Sequence, residues 1–293
     1  MCTGYGGLDL AVEDVFGARL EWVADPAPGP SKVLAHNLPT VPNIGDLKSI
    51  DWPNLPPVDI VAAGFPCQPV SFSGRHRGTN DERWLIHDIL DGVRQMPQRP
   101  ALLILENVRG LLTANQGNAM RAVVQGLAEH GFLARWRVLR ASDVGAPHQR
   151  ARTFIVARDA LRVRRGLGTD RDRPSFPQPS GEDLPPGTGD PRPSGRGRPD
   201  SALWGRFSPH IRCWEQTLGR PAPFPADIGP RGPRISIPFV EWLMGLPAGW
   251  IADVPDLPHT KRREILGNGV VPQQAAAAIE DLMNWPTPER VGP

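Results

Sequence analysis

A chain of 293 residues, 40% of them hydrophobic, is long enough to bury a full core and to carry a smaller second domain. It holds no apolar run near the roughly 18–20 residues of a membrane span and opens on no basic-then-apolar leader, so the expected compartment is the cytoplasm. Cys2, Cys67 and Cys213 are odd in number, far apart and without a C-x-x-C pair, which excludes a disulfide framework and a zinc site. The net charge of +2 rests on arginine far more than on lysine. Arginine suits phosphate and base edges, but a GC-rich coding sequence would favour the same residues, so composition names no partner.

The first half alternates two periods. Leu20–Ala24, Asp59–Ala63, Ala101–Leu105 and Thr153–Ala157 are short apolar runs, as in strands covered on both faces. Between them, Leu8, Val12, Val15 and Phe16 share a helical face that ends at Gly17. Leu85, Ile89, Val93 and Met96 share another, ended by Pro97, and Met120, Val123, Val124 and Leu127 a third, ended by Gly131. This alternation predicts an α/β fold with a doubly wound, mostly parallel sheet. Residues 166–199, rich in Pro, Gly, Arg and Asp, read as a loop or disordered insert. Helical spacing returns over Leu203–Leu218, a Pro-rich connector follows over Pro221–Pro233, and two helices are expected at Pro238–Met244 and Pro272–Asn284.

Ligands of open parallel sheets bind beyond the carboxyl ends of the strands. Gly4-Tyr5-Gly6-Gly7 leads straight into the first helix and lets backbone approach a ligand, although a plain turn explains it equally well. Asp25 closes Leu20–Ala24, where an acid commonly accepts ribose hydroxyls or simply serves a turn. Cys67 follows Asp59–Ala63 inside Gly64-Phe65-Pro66-Cys67-Gln68-Pro69-Val70-Ser71. A structural cysteine belongs among apolar neighbours, so this placement favours a nucleophile. Glu106 follows Ala101–Leu105; burial there would raise its pKa, while a turn acid is the plainer alternative. Arg150 and Arg152, two apart before Thr153–Ala157, project to one side of an extended chain and could clamp a phosphate or a base, or lie on the surface.

In this order the segments resemble the motif series of the cytosine-C5 DNA methyltransferases. GFPCQPVS resembles the nucleophile loop, LENV the Glu-Asn-Val motif and QRAR the paired arginines. Arg234–Trp250 is similar to the segment supporting the recognition domain, and Leu266–Ile279 to the final motif that folds back on the cofactor. The resemblance implies a Rossmann-like methyltransferase fold with S-adenosyl-L-methionine as methyl donor and double-stranded DNA as partner. It implies a catalytic and cofactor domain over 1–158, completed by 266–293, and a target-recognition region over 159–265. Cys67 would attack a flipped cytosine, Glu106 would protonate or share a proton with the ring, and Arg152 supported by Arg150 would hold the base. Gln68 and Ser71 would shape the loop around the nucleotide. Gly4, Tyr5, Gly6, Gly7, Asp25, Asp46, Leu47, Gly64, Pro66, Leu85, Asn268 and Val270 would line the cofactor site, with no metal, no membrane partner and a monomeric protein. Departures from the pattern are a first motif that lacks its leading strand, His148 in place of glutamine and Gly269 in place of serine. The missing strand keeps a second reading open, a DNA-binding relative impaired in catalysis, and an RNA cytosine methyltransferase is the third.

Overall fold

Leu102–Val108 is apolar on both faces until Glu106, and it forms the middle of the main sheet. The computed structural model describes residues 1–66, 85–164, 201–230 and 232–284; Cys67, Gln68, Ser71 and the 166–199 insert lie outside them. In chain order the elements are α1 (Gly7–Phe16), α2 (Pro28–Asn37), β1 (Ile60–Ala63), α3 (Ile86–Gln95), β2 (Leu102–Val108), α4 (Asn118–Glu129), β3 (Phe132–Leu139), β4 (Arg152–Asp159) and α5 (Ala160–Arg164). There follow α6 (Ser201–Trp204), α7 (Ser208–Leu218), β5 (Ala226–Gly229), β6 (Gly232–Ile235), α8 (Ile237–Leu243), α9 (His259–Asn268) and α10 (Pro272–Asn284).

The sheet order is β1-β2-β4-β3. β1 runs parallel to β2, with Ile60 opposite Leu102 and Ala63 opposite Leu105. β4 is antiparallel to β2, from Leu102 opposite Arg158 to Val108 opposite Arg152, and β3 is antiparallel to β4. Among the described residues this four-stranded sheet is therefore mixed, with one parallel pair and two antiparallel ones. The cause is local: β3 returns into β4 through a short connection with no crossover helix, which forces the antiparallel sense. β3 carries Arg135 and Arg137 and sits at an edge, so it lacks the continuous apolar run that marks the inner strands.

Among the described residues Leu20–Ala24 is extended but makes no ladder; its one bridge there is parallel, Val23 to Asn43. The expected Pro-rich connector holds β5 and the start of β6, which pair as a hairpin out to Ile235. α2 and α9 have weak apolar periodicity and were not legible as helices, whereas α1, α3, α4, α8 and α10 fall where the spacing places them. α1 stops at Gly17, which is left-handed (φ 58°), and α3 stops at Met96 before Pro97, whose ring disfavours a helical residue ahead of it. Ser236 caps α8 by accepting from the Phe239 amide.

Two apolar layers sandwich the sheet. α3 and α4 bury Ile89, Val93, Met120 and Val123 against Leu103, Leu105 and Ile155. On the other face α1 and α10 bury Leu8, Val12, Ala275 and Ile279 against Ile104, Phe154 and Val156. A third cluster joins Trp214 and Trp242 of α7 and α8 with Leu266 of α9 and with Tyr5 and Val33 near the N-terminus.

Candidate active site

Direct partners in an antiparallel pair share a face, and so do residues two apart. Glu106 opposes Phe154 and Val108 opposes Arg152, so Glu106 and Arg152 emerge side by side at the end of the sheet. Arg152 Nε lies 3.0 Å from Glu106 Oε1. Glu106 is 7% exposed. Burial pushes its pKa up to about 7, against the pull of Arg152 and Arg150. A carboxyl so poised can hold or release a proton near neutrality, and the arginine orients it.

Gly64 brings the end of β1 to this carboxyl. A Cβ at Gly64 would lie 3.5 Å from Glu106 Oε2, so the backbone passes close beside it. Asn107, on the opposite face of β2 from Glu106, donates through Nδ2 to the Phe65 carbonyl at 3.0 Å. The segment that leads to Cys67 is thus tied to the residue next to the acid. Sequence reasoning missed Asn107; a fully polar amide inside an apolar strand was the available signal.

Arg150 goes elsewhere. Its guanidinium donates to the carbonyls of Gly267, at 2.9 Å, and Gly269. Its backbone has φ +25°, an uncommon value for a bulky residue. The two arginines expected to act as a pair are brought to one edge but divided: Arg152 holds the acid, and Arg150 holds the turn between α9 and α10. Gln274, also unforeseen, locks the same junction by donating through Nε2 to the carbonyls of Leu139 and Arg150, both at 2.8 Å.

The residues expected to hold a cofactor form a second group at the same sheet edge. The Gly4 amide donates to Asp25 Oδ2 at 2.8 Å, and Asp25 Oδ1 accepts from the Ala27 amide at 3.0 Å. No described residue lies within 4 Å of the place a Gly4 Cβ would take, so among them the backbone faces open space there. Leu47 is buried with Ala24 and Phe65, and Leu85 packs against the same cluster. Asp46 is exposed and accepts from the Lys48 amide at 3.1 Å. Asn268 is exposed at the end of α9 and Val270 is buried beyond it. An open glycine backbone, an anchored carboxylate and an apolar wall suit a nucleoside with a charged tail.

The glycine loop and the final turn interlock. Tyr5, fully buried, donates its hydroxyl to the Val270 carbonyl at 2.7 Å, and Trp250 Nε1 donates to the Tyr5 carbonyl at 2.7 Å. A Cβ on Gly7 would meet the Val270 oxygen at 2.2 Å. A Cβ on Gly269 would fall 1.8 Å from the Tyr5 ring, which explains why glycine, not serine, follows Asn268. His148 stands within 2.8 Å of the Leu243 carbonyl through Nε2 and ties its loop to α8.

With that geometry in hand, the comparisons are direct. A family model for the C-5 cytosine-specific DNA methylases matches residues 1–181. The chain belongs to that family. It is 32% identical over 160 residues to the Type II methyltransferase M.BsuFI of Bacillus subtilis, a match covering 53% of this chain and 37% of that one. It is also 32% identical over 155 residues to M.HhaI of Haemophilus parahaemolyticus, covering 53% and 46%. The matches thus span less than half the length of these curated relatives. Among solved structures, the fold is shared with the S. pombe Dnmt2 methyltransferase (TM-score 0.60, 14% identity, 96% of each chain). It is shared as well with the Entamoeba histolytica methyltransferase EhMeth (TM-score 0.62, 15% identity, 96% of this chain and 95% of that one). The fold is the Rossmann-like methyltransferase fold with a smaller second region, and family membership brings S-adenosyl-L-methionine as the methyl donor.

Proposed function

We propose that this protein methylates carbon 5 of cytosine in duplex DNA. The observation that carries the reading is the buried Glu106, oriented by Arg152 and titrating near pH 7, beside the backbone at Gly64 that leads into Cys67.

A base inside a duplex is out of reach, so the target cytosine would be flipped into the site. The Cys67 thiolate adds to carbon 6, and Glu106 supplies a proton or hydrogen bond to the ring nitrogen. That keeps charge off the ring and makes carbon 5 nucleophilic. Arg152 holds the carboxyl in place and reaches the base oxygen, while Gln68 and Ser71 line the flipped nucleotide. S-adenosyl-L-methionine supplies an electrophilic methyl group at a sulfonium. Loss of the carbon 5 proton then expels the thiolate and restores the ring. Gly4 through Gly7, Asp25, Leu47, Leu85, Asn268 and Val270 hold the donor, and Arg150 acts on it indirectly through the Gly267–Gly269 turn.

On this reading 1–158 with 266–293 is the catalytic part, 159–265 selects the target, and the protein works as a monomer in the cytoplasm. The test is transfer of labelled methyl to mixed-sequence duplex DNA, with tRNA as a parallel substrate and Cys67→Ala as control. Label on DNA cytosine that Cys67→Ala abolishes supports the proposal. Label on tRNA alone moves the substrate to RNA, and binding of duplex without transfer by either protein overturns the enzymatic reading.

A further inference from the structure

The short helix α8 buries an acid on its apolar side. Glu241 follows Ile237 by one helical turn, so the two share a face, and only 1% of Glu241 is exposed. A carboxyl taken out of water needs donors, and here they come from the turn beyond α8. Its Oε1 accepts from the Gly249 amide at 2.7 Å, and its Oε2 from the Ile251 and Ala252 amides at 2.6 and 2.9 Å. Backbone on both sides of Trp250 thus converges on one side chain. Asn37 of α2 holds the middle of the same turn, donating through Nδ2 to the Trp250 carbonyl at 2.8 Å.

What the turn presents is the Trp250 indole. Its Nε1 donates to the Tyr5 carbonyl at 2.7 Å, and a Cβ on Gly6 would lie 4.0 Å from its ring, so the indole runs alongside the glycine loop. The Tyr5 carbonyl belongs to the peptide that joins Tyr5 to Gly6, and Gly6 sits at φ +87°. A glycine adopts either sign of φ, so this peptide can turn over with no Cβ to oppose it. Turning it over would break the bond of 2.9 Å from the Gly6 amide to the Thr3 carbonyl, which closes the loop ahead of α1. The indole bond therefore fixes the one peptide of the loop that its own sequence leaves free.

We propose that Glu241 and Trp250 are positioning residues for the donor: Glu241 shapes the turn, and the Trp250 indole keeps the Tyr5–Gly6 peptide in the orientation that leaves the Gly4 backbone open to S-adenosyl-L-methionine. Both act through the Tyr5 carbonyl and not by contact with the donor. This gives α8 and the turn after it a duty toward the donor, besides any toward the nucleic acid. It rests on the placement of the donor at the glycine loop proposed above, and it is independent of which nucleic acid is methylated.

Equilibrium dialysis of the full chain with labelled S-adenosyl-L-methionine, without nucleic acid, reads donor binding apart from methyl transfer. Trp250→Phe keeps an aromatic ring and removes the N–H, and binding should weaken by about tenfold, the equivalent of one hydrogen bond. Glu241→Gln keeps the shape but leaves one oxygen to serve three amides, and binding should weaken by a similar factor. The double variant should bind no more weakly than the weaker-binding single one, because both act on one contact. Trp214→Phe controls for structure, since it strips a bond of the same kind, Nε1 to the Trp242 carbonyl at 2.9 Å, from the same apolar cluster. Its urea midpoint should fall while donor binding stays within about twofold of the parent. Asp25→Ala should abolish binding. Parent-like affinity in Trp250→Phe while Asp25→Ala loses it, single factors that multiply in the double variant, or an equal loss in Trp214→Phe each overturns the proposal alone. Parent-like affinity in Asp25→Ala overturns the placement of the donor and the proposal with it.

Discussion

The two flanks of the active edge are built to different standards. On the β2–β4 flank the main site side chains are paired, Glu106 with Arg152, Asn107 with Phe65, Arg150 with Gly267 and Gly269, although Arg150 Nε, Thr153 Oγ1 and Gln274 Oε1 are buried without a partner among the described residues. On the Met1 flank the Trp22 indole N–H is buried without a partner among the described residues, and the residue lines a cavity. A buried polar group costs stability when its partner is absent and contributes little beyond that cost when the partner is present. Substitutions on the first flank should therefore be costly, and removal of the Trp22 N–H on the second nearly silent.

The largest expected effect is on turnover. Glu106→Gln keeps a donor but no longer exchanges a proton, and methyl transfer should fall by about 10²–10⁴-fold, read as kcat from labelled donor. Next is Gly269→Ala, whose Cβ would enter the Tyr5 ring. Overpacking of this kind costs about 1–3 kcal/mol, measured by urea unfolding, and pairing it with Tyr5→Leu should recover much of the loss. A similar size is expected from titration. The folded pKa of Glu106 lies above its ordinary value, so the folded state holds the proton more tightly and stability falls as pH rises from about 4.5 through about 7. Glu106→Gln should remove that fall, so its stability relative to the parent rises with pH across this window; a parallel pair of curves would mean the carboxyl is not titrating there.

Smaller effects contrast the flanks most sharply. Tyr5→Phe strands the buried Val270 carbonyl and should cost about 1–3 kcal/mol. Trp22→Phe removes an N–H that has no partner among the described residues, and apart from the lost ring area it should change stability by less than about 1 kcal/mol. If the two costs were equal, the division between the flanks would fail.

How much of this was legible in the chain follows the same line. β2 and β4 could be read because strands covered on both faces are written in unbroken apolar residues, and the strand ends then pointed to Glu106 and Arg152. β3 was not, because an edge strand needs only one buried face and Arg135 and Arg137 interrupt it. Leu20–Ala24 looks like an inner strand, but among the described residues it forms a single bridge and one further backbone bond to Thr3, since strand character is completed by neighbours and not by the segment alone. α2 and α9 are held by the third cluster more than by their own amphipathicity, so their periodicity is faint. The separation of Arg150 from Arg152 was invisible for another reason. Spacing of two sets a common direction, but the left-handed backbone at Arg150 redirects the first side chain.

Gln274 has a consequence for the order in which the chain matures. Its amide bridges Leu139 and Arg150, and Tyr5 reaches Val270 across 265 positions. A ribosome releases residues in sequence, so the sheet and its acid can assemble early, but the glycine loop and the arginine turn remain unlatched until α10 has emerged. Contacts that close such long loops form slowly. A nascent or prematurely ended chain would hence carry a folded sheet with an unlatched donor loop, and competence to bind would arrive as one of the last events of synthesis.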